Sequence, residues 1–122
     1  MRSWLSVLGL LAPLLALGEE PRVQLLVQSS PLAGYRYGEG AEVWPLLREG
    51  DALDLVPEPG NAHDANAVRV EWRGRKLGYV PRRQNAALAW GLERGTPLRA
   101  RVSRLADHPN PAQRIEFEIY IE

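Results

Sequence analysis

The sequence has no cysteine, and it has one methionine, one phenylalanine and no net charge. Without cysteine there is no disulfide framework, no thiolate zinc site, no thiol nucleophile and no Cys-linked lipid. The two histidines, His63 and His108, could build at most a thin metal site with Asp64 or Asp107, and loop histidines are more often not ligands. Also missing are a Walker-type glycine loop, a Gly-x-Ser-x-Gly elbow and a His-Glu-x-x-His helix, so those catalytic chemistries have no residues to run on. Glu116 and Glu118 are a carboxylate pair, but they alternate along a strand pattern and read as a solvated face. The expectation is a protein that is not an enzyme and carries no metal and no cofactor.

Long apolar runs are absent too. The longest, Leu5 to Leu17, covers 13 residues and contains Pro13, against about 20 residues needed to cross a bilayer. Arg2 precedes it and the segment ends in Ala16-Leu17-Gly18, with small residues at the two positions a signal peptidase inspects. Residues 1–18 therefore read as a signal peptide cut after Gly18, a cut that N-terminal sequencing of the exported protein reads directly. The protein would be periplasmic or extracellular and not stably inserted in the membrane after cleavage. The alternative is an uncleaved membrane anchor over residues 5–17.

What is present suits one globular domain over residues 19–122. The full chain has 122 residues, 45% of them hydrophobic and 25% charged, within the range of a single folded unit. Period-two alternation, the mark of half-buried strands, recurs along the chain. Val23, Leu25 and Val27 share one face of the first segment, with Gln24 and Gln28 on the other. Leu53 and Leu55 mark a second, and Val68, Val70 and Trp72 a third. Arg73-Gly74 then reads as a tight hairpin turn into 75–80. Leu98, Ala100 and Val102 form a fifth segment; Ile115, Phe117, Ile119 and Ile121 form the sixth. After Pro81, RRQNAALAWGLERG places Ala86, Ala89, Trp90 and Glu93 along one side of a helix, with Leu88 and Leu92 four apart and Gly95 past its end. A weaker helix or turn is expected around 41–48, interrupted by Pro45. Trp44, Trp72 and Trp90 are assigned to the core, as large apolar residues usually are. The fold class expected from the pattern is mainly β with one or two short helices, six short strands in a small, strongly bent β-barrel capped by the helices. The loops 57–66 and 106–113, rich in Pro, Gly, Asn and Asp, belong on its surface.

The zero charge is an average over a segregated chain. Residues 19–66 carry three Arg against nine carboxylates, a balance of −6. Residues 67–104 carry ten basic side chains against two, or +8, and residues 105–122 come to −3. Arginine outnumbers lysine 14 to one. Guanidinium grips phosphate with paired hydrogen bonds and stacks on rings, so the basic block reads as an anion-binding face.

Two stretches stand out from generic barrel sequence: PLAGYRYGEG at 31–40, and GDALDLVPEPGNAHDANAVRV at 50–70 with LGYVPR at 77–82. Gly-Asp, Glu-Pro, Asn-x-x-Asp-x-Asn-Ala-Val and Gly-Tyr-Val-Pro in this order resemble the HIRAN family, over roughly residues 23–105. The resemblance implies an OB-like β-barrel that binds single-stranded DNA non-catalytically, at the free 3′-hydroxyl end in the helicase-like members. It implies a cleft of Arg36, Tyr37, Asn61, His63, Asp64 and Arg82. Tyr37 would stack on the terminal base and Arg36 would pair with phosphate or cover the ring. Asn61 would hold the loop, Asp64 would accept from the 3′-hydroxyl, and Arg82 would contact backbone phosphate. Tyr35 could add a second stacking face. His63 stands where the family often has Tyr, and PNPAQR lacks the late aromatic of the helicase-like proteins. Asn61, Asp64 and Asn66 also have a plainer reading, as Asx turns capping their own backbone. Two other functions stay open: an exported module for a protein or polyanion partner, and a metal-assisted hydrolase accessory domain.

Overall fold

The computed structural model describes residues 23–122, so the signal peptide read over residues 1–18 lies outside the described residues. In chain order the elements are β1 (Leu25–Pro31), α1 (Gly40–Val43), β2 (Ala52–Pro57), β3 (Val68–Trp72), β4 (Arg75–Tyr79), α2 (Ala86–Glu93), β5 (Leu98–Leu105) and β6 (Ile115–Ile121). Short 3-10 turns occupy Tyr35–Tyr37, Trp44–Leu46, Arg82–Gln84 and Pro111–Gln113. The six strands form one antiparallel sheet in the order β1-β6-β5-β2-β3-β4. The fold is mainly β, as the strand pattern predicts, and OB-like, as the family resemblance implies. Among the described residues no helix is long and apolar enough to cross a membrane.

Alternation explains the core. Val68, Val70 and Trp72 of β3 are buried, as are Ala100 and Val102 of β5 and Ile115, Phe117 and Ile119 of β6. Each large side chain taken out of water contributes about 1.5–3 kcal/mol. They meet Leu77 of β4, Val43 of α1, and Leu88 and Ala89 of α2 in one cluster. The buried Trp72 indole keeps a partner, donating from Nε1 to Asp51 Oδ2 at 3.0 Å. The β3–β4 hairpin turns through Arg73 and Gly74, at φ 49° and 78°, the two left-handed residues that a type I′ turn requires.

Three expectations need correction. First, the sheet does not close into a barrel. Its edges β1 and β4 are joined only by an isolated bridge between Ala33 and Tyr79. Proline ends both edges, Pro31 on one side and Pro81 after the other, and proline has no N–H to extend a ladder. Second, Leu25 and Val27 do not face the core: they are exposed, together with Val23 and Leu26. The register of β1 against β6 shifts between Leu26 and Gln28, and such a bulge reverses the alternation beyond it. Ser30 is therefore the buried residue of β1; its hydroxyl donates to Gln84 Oε1 at 2.6 Å. Third, Trp90 is 61% exposed. The inward face of α2 is filled by Leu88, Ala89 and partly by Leu92, which turns Trp90 to solvent.

Candidate functional site

A cleft of about 340 Å³ opens beside the seam where the sheet fails to close, lined by Ala33, Asn61, His63, Asp64, Ala67, Tyr79, Val80, Arg82 and Asn85. Its volume is at the small end of ligand pockets.

The β2–β3 loop is built by its own polar side chains. Glu58 and Ala67 close its base, N–H to carbonyl at 2.8 Å. Asn61 Oδ1 accepts from the backbone N–H of His63 at 2.9 Å and of Asp64 at 3.2 Å. Asp64 Oδ1 accepts from Asn66 N–H at 2.9 Å. The Asx turns are thus real for Asn61 and Asp64, and they orient the loop without using all of Asp64. Its other oxygen, Oδ2, accepts from Asn85 Nδ2 at 2.8 Å, with Arg82 Nε at 3.8 Å. The hydrogen bond from Asn85, then that from Asn66, hold the Asp64 carboxyl below its ordinary value; partial desolvation opposes them and Arg82 adds to them. Asp64 is therefore an ionised acceptor with lone pairs to spare, its side chain 18% exposed.

Glu58 ties this loop to the sheet. It accepts from Asn61 Nδ2 at 3.0 Å, from the Tyr79 hydroxyl at 2.9 Å and from Arg69 Nη1 at 2.8 Å. Desolvation pushes its carboxyl upward, but Asn61, Tyr79, Arg69 and Lys76 together bring it below the ordinary value. A carboxylate held low in the folded state stabilises the fold above its unfolded pKa of about 4.3, and that contribution is lost as pH falls through the folded value. On acidification from pH 6 to pH 3, urea midpoints should fall more steeply for the wild type than for Glu58→Gln. Parallel curves would remove Glu58 from the acid response.

The six residues implied by the family resemblance do not all meet here. Asn61, His63, Asp64 and Arg82 line the cleft, Arg82 donating from Nη2 to the His63 carbonyl at 3.2 Å. Arg36 and Tyr37 line a second depression of about 280 Å³, with Gly34, Tyr35, Asn110, Pro111 and Ala112. Ala33 and Gly34 are consecutive residues lining one depression each, so the two adjoin along the chain. Tyr37 is 79% exposed and free to stack, whereas Tyr35 is buried at 5%. A Cβ on Gly40 would lie 2.7 Å from Tyr35 Cδ2, so the ring packs tightly inside and offers no second stacking face. His108 is engaged elsewhere, its Nδ1 accepting from Asn110 N–H. Among the described residues no group of three or more His, Cys, Asp or Glu could hold a metal ion.

Asn85, Tyr79 and Glu58 are site residues that sequence reasoning missed. Asn85 directly precedes α2 and looks like a helix cap, yet it makes no side-chain cap bond; buried at 3%, it turns to Asp64 instead. The Glu-Pro of the 50–70 motif was the available signal for Glu58.

The charge segregation resolves into pairs. Arg69 meets Glu58 and Glu71, Arg75 meets Glu39 and Glu42, Arg99 meets Glu122, Arg101 meets Glu118 and Arg104 meets Glu116. The acidic flanks thus cover much of the basic block. Among the described residues of that block, Arg73, Lys76, Arg83 and Arg94 have no carboxylate within 4.0 Å.

The HIRAN domain model matches residues 25–122. A crystal structure of a protein from Lactobacillus plantarum has a TM-score of 0.70 to this chain at 29% identity, covering 81% of this chain and 95% of that one. The crystal structure of the HIRAN domain of human HLTF has a TM-score of 0.61 at 18% identity, covering 80% of this chain and 78% of that one, a likeness of fold. Among curated proteins none matches this chain.

Proposed function

The chain belongs to the HIRAN domain family of nucleic-acid-binding domains, and from that premise we propose that it binds the 3′-hydroxyl end of single-stranded DNA without catalysing its cleavage. The observation that carries the reading is Asp64: an ionised carboxylate held by Asn85 and Asn66 in a cleft of nucleoside size, beside a 77% exposed Arg82. A carboxylate accepts from a hydroxyl and repels a phosphate, so this one group supports selection of the end. His63 and Tyr37 offer rings for stacking, and Arg82 and Arg36 offer guanidinium for phosphate. The leader-like residues 1–18 extend the proposal to DNA met outside the cytoplasm.

A protein partner is the second reading, and one observation favours it. β1 is an edge strand that exposes Leu25, Leu26 and Val27, and open edges accept added strands. Generic polyanion binding is less well supported, because so many of the basic side chains are already paired.

The test is a titration of labelled single strands ending in 3′-hydroxyl or 3′-phosphate, at two salt concentrations. The expected result is tighter binding of the hydroxyl end by about tenfold or more, with both affinities falling as salt rises. Equal affinity for the two ends would leave nucleic-acid binding without end recognition. No binding at low salt would sink the reading and promote the protein partner.

A further inference from the structure

Trp90 has no structural task in the core. It is 61% exposed while Trp72 is 4% exposed, and the Arg94 guanidinium lies over its ring at 3.9 Å from the centroid. The same outward face of α2 carries Ala86 and Ala87, four and three residues before Trp90 and so its helix neighbours; their small side chains add little cover to the ring beyond that of Arg94. Just ahead of the helix come Arg82 and Arg83, both exposed. Neither Arg83 nor Arg94 has a carboxylate within 4.0 Å among the described residues, unlike most of the basic block. Glu93 lies on the other flank of Trp90 and disfavours phosphate there.

Exposed residues run on from the cleft along the chain: Arg82 lines it, and Arg83, Ala86, Ala87 and Trp90 follow. Asn85, which holds Asp64, directly precedes α2. Trp90 is five residues further on, about 7.5 Å along the axis at the usual rise per residue. An exposed aromatic ring on a helix with arginines at both ends that lack a carboxylate partner is the composition of a single-strand track, in which bases stack and backbone phosphates meet guanidinium.

We propose that single-stranded nucleic acid leaves the Asp64 cleft along the exposed face of α2, with one base stacked on Trp90 and phosphates paired to Arg83 and Arg94. The inference rests on the preceding reading that the strand end sits in the cleft, and it supplies a stacking platform where the late hairpin has none.

The experiment compares 3′-hydroxyl oligothymidylates of about 3 and about 12 nucleotides, on the full chain, for the wild type, Trp90→Ala and Trp90→Phe. The wild type should bind the long strand more tightly than the short one. Trp90→Ala should bind the short strand as the wild type does and lose about tenfold on the long one, and Trp90→Phe should recover most of that loss. Since Trp90 is exposed, equal melting temperatures will show that folding is intact. Wild-type binding of both strands with no loss in Trp90→Ala overturns the track alone. Failure of the wild type to bind either strand overturns the cleft reading, and the track with it.

Discussion

Replacing Gly78 by alanine should cost about 3 kcal/mol of stability and lower the melting temperature by roughly 15 °C. A Cβ at position 78 would sit 2.2 Å from the Ala33 carbonyl oxygen and 3.1 Å from Leu32 Cγ. The first contact is backbone, so no side-chain rotation relieves it. The seam must open by an ångström or more, and at that point it is held by little. Ala33 N–H donates to Tyr79 O at 2.9 Å and Tyr79 N–H donates to Ala33 O at 2.8 Å, the whole of the strand-like pairing between the two edges of the sheet. Overpacking of a tight site costs about 1–3 kcal/mol, and each hydrogen bond lost adds about 0.5–1.5 kcal/mol. A domain of this length has about 5–15 kcal/mol in total. Gly60→Ala is the control, because nothing lies within 4 Å of its added carbon; it should stay within about 0.5 kcal/mol of the wild type. Thermal melts of the three proteins decide the matter, and equal melting of Gly78→Ala and wild type would mean the seam is not held as described. Since Ala33, Tyr79 and Val80 line the cleft, the same substitution should also weaken ligand binding.

The fold was legible wherever burial is decided within one strand. Val68, Val70 and Trp72, or Ile115, Phe117 and Ile119, alternate because one side of a strand packs on the core, and that periodicity is present in the letters. It fails where a neighbour decides. The bulge after Leu26 is a register event between β1 and β6, and no pattern within β1 announces it. Trp90 shares a helix with Leu88 and Leu92, and only the seating of that helix determines which stripe faces in. Closure of the sheet depends on how two edges distant in sequence end, one at Pro31 and the other two residues before Pro81. Segment charges likewise say nothing of partners: +8 and −6 become Arg75 against Glu39 and Glu42, or Arg69 against Glu58.

The candidate site divides along the same line. Asn61, His63 and Asp64 come from one loop and Arg82 from the turn after β4, and it was the family pattern that pointed to them. Asn85 was hidden because an asparagine before a helix reads as its cap; its bond to Asp64 exists only once α2 has packed against the β2–β3 loop.

That bond makes Asp64→Asn the most informative change in the cleft. Asparagine keeps the size of the side chain and an oxygen for the Asn66 N–H. Asn85 can turn its amide over and offer its own oxygen to the new Nδ2, so the loop should stay folded and the melting temperature should change little. What disappears is the charge. A hydrogen bond to an ionised acceptor is roughly twice as strong as a neutral one, so the 3′-hydroxyl strand should bind about tenfold or more weakly. The 3′-phosphate strand should move the other way, because the carboxylate that repels it is gone and Arg82, no longer beside Asp64, is left to attract it. The expected signature is therefore a collapse of the hydroxyl-to-phosphate affinity ratio from about tenfold or more to near one. Ordinary structural damage would weaken both strands together and leave the ratio standing, so the ratio separates a reading carboxylate from a merely structural one. A ratio unchanged in Asp64→Asn, with the protein folded, would mean that Asp64 shapes its loop and reads nothing.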